Sequence, residues 1–299
     1  MKTREDKVFQ ALGHTLMTVL SLSAVIPVIL MIISSLTDNE ALLQNGYSFF
    51  PSQWSLYAYQ WVFDSNGTVV MRAYGISVLL TAVGTALSLL MTTPLAYGLS
   101  KPKLPWRGAL TFYVFFTMLF NGGLVPTYIN YTSVFGVKDT FYGLLVPSLL
   151  MNAFNVLLMK SYFVAGVPNE ILEAANIDGA SEMRTMVSVA IPMAKPMIAT
   201  IAMFVGIAYW NDWNNGFIYL LKRTDLFSIQ NLLNRLMQNI QMLATNSQQV
   251  SNAGEGLAKI PQATVRMAMA TLGILPIMVV YPMIQKNFVK GITLGGVKG

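Results

Sequence analysis

Six stretches of this chain are long and apolar, and His14 and Asp212 are the ionisable residues that interrupt them: residues 12–36, 73–99, 108–131, 141–159, 196–220 and 267–285. A helix needs about 20 such residues to cross roughly 30 Å of hydrocarbon, because in lipid each backbone amide must be paired inside its own segment. The pattern therefore predicts an all-α integral membrane protein with six spanning helices in one domain over 1–299. The fifth stretch breaks at Asp212 and resumes over 217–221. The first follows Lys2, Arg4 and Lys7, as a secretory leader would, but reaches Ser34 without a small-residue cleavage site, and so reads as an uncleaved first span.

Composition agrees with that constraint. Charged residues make up 11% of the 299 positions, against roughly 25% in a soluble domain, and hydrophobic ones 54%. Mean hydropathy is +0.54. Cysteine is absent, which excludes disulfides, thiolate metal sites and Cys nucleophiles, and the lone His14 excludes schemes that need two histidines. The carboxylates concentrate in one loop outside the membrane, so no catalytic acid–base pair, metal site or bound cofactor is expected of this chain.

An even number of spans puts both termini on one side, and basic residues say which. Lys2, Arg4 and Lys7 precede the first span; Lys101, Lys103 and Arg107 fill the second connection; Lys160, Arg184 and Lys195 lie in the fourth, 160–195; Lys286, Lys290 and Lys298 follow the last span. These belong to the cytoplasm by the positive-inside rule. The segments so assigned carry twelve basic and six acidic residues and the outer ones seven of each, so the net charge of +6 is a mark of orientation. It calls for no nucleic-acid partner.

Outside, 37–71 is dense in aromatics, among them Tyr47, Phe50, Trp54 and Trp61, as befits a segment lying at the membrane interface. The outer loop 222–266 places Ile229, Leu232, Leu233, Leu236, Ile240 and Leu243 at helical spacing with amides on the other faces, which predicts an amphipathic helix followed by a flexible stretch.

The fourth connection carries the most information. Pro168, Glu170 and Glu173 suit the first turns of a helix, Asp178-Gly179 is a stop, and Ser181 caps a second helix running toward Pro192. Its acidic first helix argues against DNA, whose phosphates it would repel. Small Ala174, Ala175 and Ala180 with charged Glu173 and Asp178 suit either a partner surface or packing against the protein's own spans.

These residues resemble the EAA signature of the permease subunits of binding-protein-dependent ABC importers: Glu173-Ala174-Ala175, Gly179 after three more residues, then Val189, Ile191 and Pro192. Asp178-Gly179-Ala180 with Pro192 and Pro196, the run Trp210-Asn211-Asp212-Trp213, and an ending from Lys286 to Gly295-Gly296-Val297-Lys298-Gly299 are similar to the maltose-transporter type of carbohydrate permease. The resemblance spans essentially the whole chain. It implies a non-catalytic subunit paired with a second permease as a heterodimer, an ATPase dimer that binds the ATP and Mg, and an extracytoplasmic solute-binding protein, in a bacterial cytoplasmic membrane. It further implies that Glu173, Ala174, Ala175, Asp178, Gly179, Ala180 and Pro192 couple to the ATPase, that Gly295, Gly296, Val297, Lys298 and Gly299 form an ATPase-contacting tail, and that Ser251, Asn252, Gly254, Glu255 and Gly256 meet the binding protein.

Sugars are held by aromatic faces and by hydrogen bonds to amides and carboxylates. Trp210, Asn211, Asp212 and Trp213 form the densest such group in the apolar part of the chain, and Asn121, Asn152 and Asn155 interrupt the third and fourth spans. They read either as a substrate path or as an interfacial belt and ordinary packing. The stretch from Asn121 through Pro126 to Tyr128 resembles permeases for oligosaccharides of plant or algal polysaccharides, acidic ones included. An ion-coupled secondary transporter is the rival reading, and it would be expected to hold ionisable groups inside its spans, where this chain has only His14 and Asp212.

Overall fold

The computed structural model describes residues 4–246 and 262–296. In chain order the helices are α1 (Arg4–Ser35), α2 (Asn39–Asn45), α3 (Tyr57–Ser100), α4 (Arg107–Leu119), α5 (Leu124–Ile129), α6 (Tyr142–Leu145), α7 (Ala153–Gly166), α8 (Asn169–Ile177), α9 (Glu182–Thr185), α10 (Ile191–Met193), α11 (Lys195–Asn211), α12 (Asn214–Tyr219), α13 (Ile229–Asn246) and α14 (Gln262–Gly296). Among the described residues, β structure is confined to one antiparallel bridge between Thr37 and Trp54. Two compact units are distinguished. One comprises residues up to Thr68 with those from Leu233 to Leu275; the other comprises Val69–Leu232 with those from Pro276 onward.

Among the described residues, three helical stretches are long and apolar enough to cross a bilayer: Asp6–Ser35, Gly67–Ser100 and Ala263–Val280. Two more apolar stretches are bent pairs, Arg107–Leu119 with Leu124–Val134 at 114° and Glu182–Met193 with Lys195–Asn211 at 81°, and Ala153–Gly166 is a shorter apolar helix. The first bend falls on Asn121-Gly122-Gly123, where the sequence interrupts the third span. Asn121 Oδ1 accepts the amide of Gly123 at 2.8 Å, Gly123 takes φ +87°, and Pro126 follows, so the helix cannot run through. The stretch expected over 141–159 is likewise divided, into α6 and α7, with Ser148 at φ +63° between them.

α3 starts well before the apolar stretch that announced it, at Tyr57 rather than near residue 73, and is 44 residues long. The turns from Tyr57 to Arg72 are helical although their aromatic and polar content reads as a loop. In the other direction the outer connection shortens to residues 36–56. It folds on itself: Ser55 N donates to Leu36 O at 2.8 Å, and Asp38 Oδ1 caps α2 through the amides of Glu40 and Ala41. Phe50, Trp54 and Tyr47 remain exposed on it.

In the second unit α3 serves as the ruler. Ser77 Oγ accepts the amide of Ile229 at 2.8 Å near one end, and Tyr97 meets Glu182 near the other. From Ser77 to Tyr97 the helix rises about 30 Å, the thickness of a hydrocarbon core. Between these points α11 packs so closely on α3 that a side chain at Gly84 would overlap the Tyr209 ring.

Candidate functional site

The fourth connection forms a short helix, a sharp turn and a second helix. Pro168 stands just before α8, and Leu172 is its buried anchor at 7% exposure. Gly179 ends the helix in the left-handed region at φ +80°. Its amide donates to Asn176 O at 3.1 Å and that of Ala180 to Ala175 O at 3.0 Å, the paired bonds that close a helix C-terminus when glycine follows the cap. Ser181 Oγ then accepts the amide of Arg184 at 3.3 Å and starts α9. After α9 a π-helical turn, Met186–Ala190, leads to exposed Pro192 in α10.

The outward stripe of α8 is Glu170, Glu173, Ala174 and Ile177, at spacings of three and four, with Asp178 beside it; all five are exposed. Ile177 is 86% exposed, a large apolar side chain at the tip of an otherwise polar turn. Ala175 is half-buried on Leu172's side of the helix. A helix held by one buried leucine, with an apolar residue and two glutamates on the other side, offers a face that no other described residue covers.

Glu182 fastens the start of α9 to the end of α3. Its Oε2 accepts from the Tyr97 hydroxyl at 3.2 Å and pairs with Lys101 Nζ at 3.1 Å. The ammonium of Lys101 also lies over the Tyr97 ring, 4.6 Å from its centroid. Burial opposes charge on Lys101, but its contacts with Tyr97 and Glu182 outweigh that cost and hold its pKa above the usual lysine value. Movement of the loop is thus tied mechanically to α3. The sequence reads Lys101 only as a mark of orientation and does not reveal this link, since 85 positions separate Tyr97 from Glu182 and no local spacing joins them.

At the other end of α3, Asp212 breaks the helix between α11 and α12. Its Oδ1 accepts the amides of Asn214 at 3.2 Å and Asn215 at 3.3 Å, while Oδ2 is buried without a hydrogen-bond partner among the described residues. Asn215 Nδ2 donates to Pro147 O at 2.9 Å, Tyr209 OH to Leu145 O at 2.7 Å, and buried Asn231 Nδ2 to Trp213 O at 3.0 Å. The Trp-Asn-Asp-Trp run is therefore fixed against the 145–147 turn and the start of α13. Trp210 is buried near Tyr74, with ring centroids 6.4 Å apart; Asn211 and Trp213 are exposed.

The other asparagines act locally. Asn121 makes the turn already described, Asn152 caps α7 through the amides of Phe154 and Asn155, and Asn155 is buried. Neither Asn121 nor Asn152 has a side-chain hydrogen bond to the 210–215 group. Gly295 and Gly296 close α14. Ser251, Asn252, Gly254, Glu255, Gly256, Val297, Lys298 and Gly299 lie outside the described residues.

Known proteins share this architecture. No family model matches the chain. The polygalacturonan/rhamnogalacturonan transport system permease protein YtcP of Bacillus subtilis is 33% identical over 296 residues, covering 99% of this chain and 100% of the relative. Protein LplC of the same organism is 33% identical over 297 residues, 99% of this chain and 97% of its own. One chain in the crystal structure of a bacterial ABC transporter involved in the import of the acidic polysaccharide alginate superposes with a TM-score of 0.78 at 29% identity, covering 96% of this chain and 99% of that one.

Proposed function

The chain belongs to the family of permease subunits of carbohydrate ABC importers, and from that premise we propose that it is the membrane-spanning, non-catalytic half of an ATP-driven oligosaccharide importer in a bacterial cytoplasmic membrane. In this reading it pairs with a second permease as a heterodimer, both termini are cytoplasmic, and ATP and Mg reside on a separate ATPase dimer. An extracytoplasmic binding protein delivers the sugar.

The observation that carries the reading is the uncovered face of α8. Glu173, Ala174 and Ile177 present charge, a close-approach position and apolar surface, while Leu172 and the Glu182 link to α3 hold the element to the spans. ATPase closure against that face moves α9 and α3 as one. Asp178, Gly179 and Ala180 set the angle at which the face is presented, and Pro192 begins the bend into α11. The C-terminal residues Gly295 to Gly299 are a second ATPase contact, and Ser251, Asn252, Gly254, Glu255 and Gly256 reach the binding protein.

On the outer side, the exposed Asn211 and Trp213 supply an amide and an aromatic face to a sugar, and Asp212, whose Oδ2 is buried without a partner among the described residues, stands behind them as an acceptor that a sugar reaches only when the site opens. Trp210 supports them from behind, and Asn121, Asn152 and Asn155 shape the neighbouring turns. Relatives that handle pectic polysaccharides and alginate favour acidic oligosaccharides as cargo.

The test is co-purification of the tagged permease with its partners. Gly179→Pro is expected to lose the ATPase while keeping the second permease; an unchanged ATPase yield overturns the assignment of α8. ATPase stimulation in the intact complex by uronic-acid oligomers supports the acidic cargo, and stimulation by neutral malto-oligosaccharides alone contradicts it.

A further inference from the structure

A cavity of about 480 Å³ opens between the start of α4 and the middle of α7, lined by Arg107, Gly108, Thr111, Phe112, Phe115 and Lys160. Its polar end carries two cations. Lys160 Nζ donates to Thr111 Oγ1 at 3.1 Å and Arg107 Nε to Leu99 O at 2.9 Å, and among the described residues neither has a carboxylate within 4 Å. Two positive side chains sharing one cavity repel each other, and neutral acceptors relieve little of that. Trp106 offers no side-chain cap to α4, which leaves first-turn amides, that of Gly108 among them, without a capping acceptor. Charge, helix end and amides all call for an anion.

The rest of the cavity fixes what carries that anion. Phe112 and Phe115 are exposed apolar rings on the same wall, and α4 has no buried residue at all. The cavity lies where the apolar helix meets the polar connection holding Lys101 and Lys103. Trp106, 81% exposed and held at φ +61°, stands at that boundary, the level at which indoles settle in a bilayer. A free phosphate satisfies the cations but makes no use of the rings, which lie at the depth of acyl chains; a molecule with a phosphate and acyl chains satisfies both.

We propose that this cavity seats an anionic phospholipid, its headgroup phosphate held by Arg107 and Lys160 and its acyl chains laid along Phe112 and Phe115. Basic pockets between spanning helices are suited to such headgroups. The inference requires the chain to lie in a bilayer and is independent of what it transports. Because Arg107 also holds the end of α3 through Leu99 O, the bound lipid bears on the same end of α3 that Lys101 and Tyr97 tie to Glu182.

Native mass spectrometry of the full-length chain with its partner permease, titrated with phosphatidylglycerol or with phosphatidylcholine of the same acyl chains, tests this. If each cation contributes about fivefold, phosphatidylglycerol is retained about twenty-five-fold better, and Arg107→Gln with Lys160→Gln erases the preference. Lys103→Gln, outside the cavity, leaves it intact. Lys160→Gln alone, which gives up only the bond to Thr111, loses about fivefold, and decides the matter should the double variant fail to assemble. Equal retention of the two lipids by the wild type overturns the proposal, as does a preference that survives the variants. Displacement of phosphatidylglycerol by excess inorganic phosphate would make it a free-anion site instead.

Discussion

Gly84 lies under the Tyr209 ring, and that ring is pinned: its hydroxyl donates to Leu145 O at 2.7 Å in a buried setting. A methyl group at Gly84 forces either the ring or the helix pair apart. Gly84→Ala is therefore expected to destabilise the protein by about 1–3 kcal/mol, the usual cost of overpacking. Gly98→Ala, on the same helix but with nothing within 4 Å of the new carbon, is expected to be neutral or slightly stabilising. Thermal unfolding of the two variants in detergent checks the pair; equal melting temperatures would remove α11's close approach from the account. Such contacts are not legible in a sequence. A glycine in an apolar run looks the same whether it faces lipid or an aromatic ring, whereas Gly179 is legible because Asp precedes it and a Ser cap follows.

At the scale of elements, Asp139 joins two connections that are far apart in the chain. It sits in the left-handed region at φ +54°, donates its own amide to Tyr219 O at 2.9 Å, and accepts at Oδ1 from the amides of Leu221 and Lys222 at 2.7 Å and Arg223 at 3.3 Å. The amide of Lys222, followed by those of Leu221 and Arg223, holds its pKa below the usual carboxylate value. The folded pKa lies under the unfolded one, so the clamp's stabilisation is complete above about pH 4 and is lost as pH falls through the lowered value. The melting-temperature gap between wild type and Asp139→Ala should accordingly be largest near neutrality and close on acidification; a gap independent of pH would contradict the clamp. The sequence showed the long apolar runs and the helix–turn–helix of the fourth connection, since apolar length, proline and glycine are local signals. It hid the early start of α3, whose aromatic and polar turns imitate a loop, and the clamp at Asp139, which depends on a partner more than 80 residues away.

For the whole molecule, the charge asymmetry becomes a statement about sides. The chain has no cysteine, so single cysteines report without background. Lys103→Cys is expected to resist a membrane-impermeant maleimide in intact cells and Asn45→Cys to react with it; the reverse pattern would invert the orientation. In the proposed function this permease moves oligosaccharide by a conformational change that a separate ATPase drives through α8. Uptake of labelled oligogalacturonide into proteoliposomes holding both permeases, the ATPase dimer and the binding protein tests it most directly. Uptake is expected to require ATP and the ATPase and to be abolished by Gly179→Pro. Uptake that proceeds without the ATPase on an ion gradient alone would contradict it.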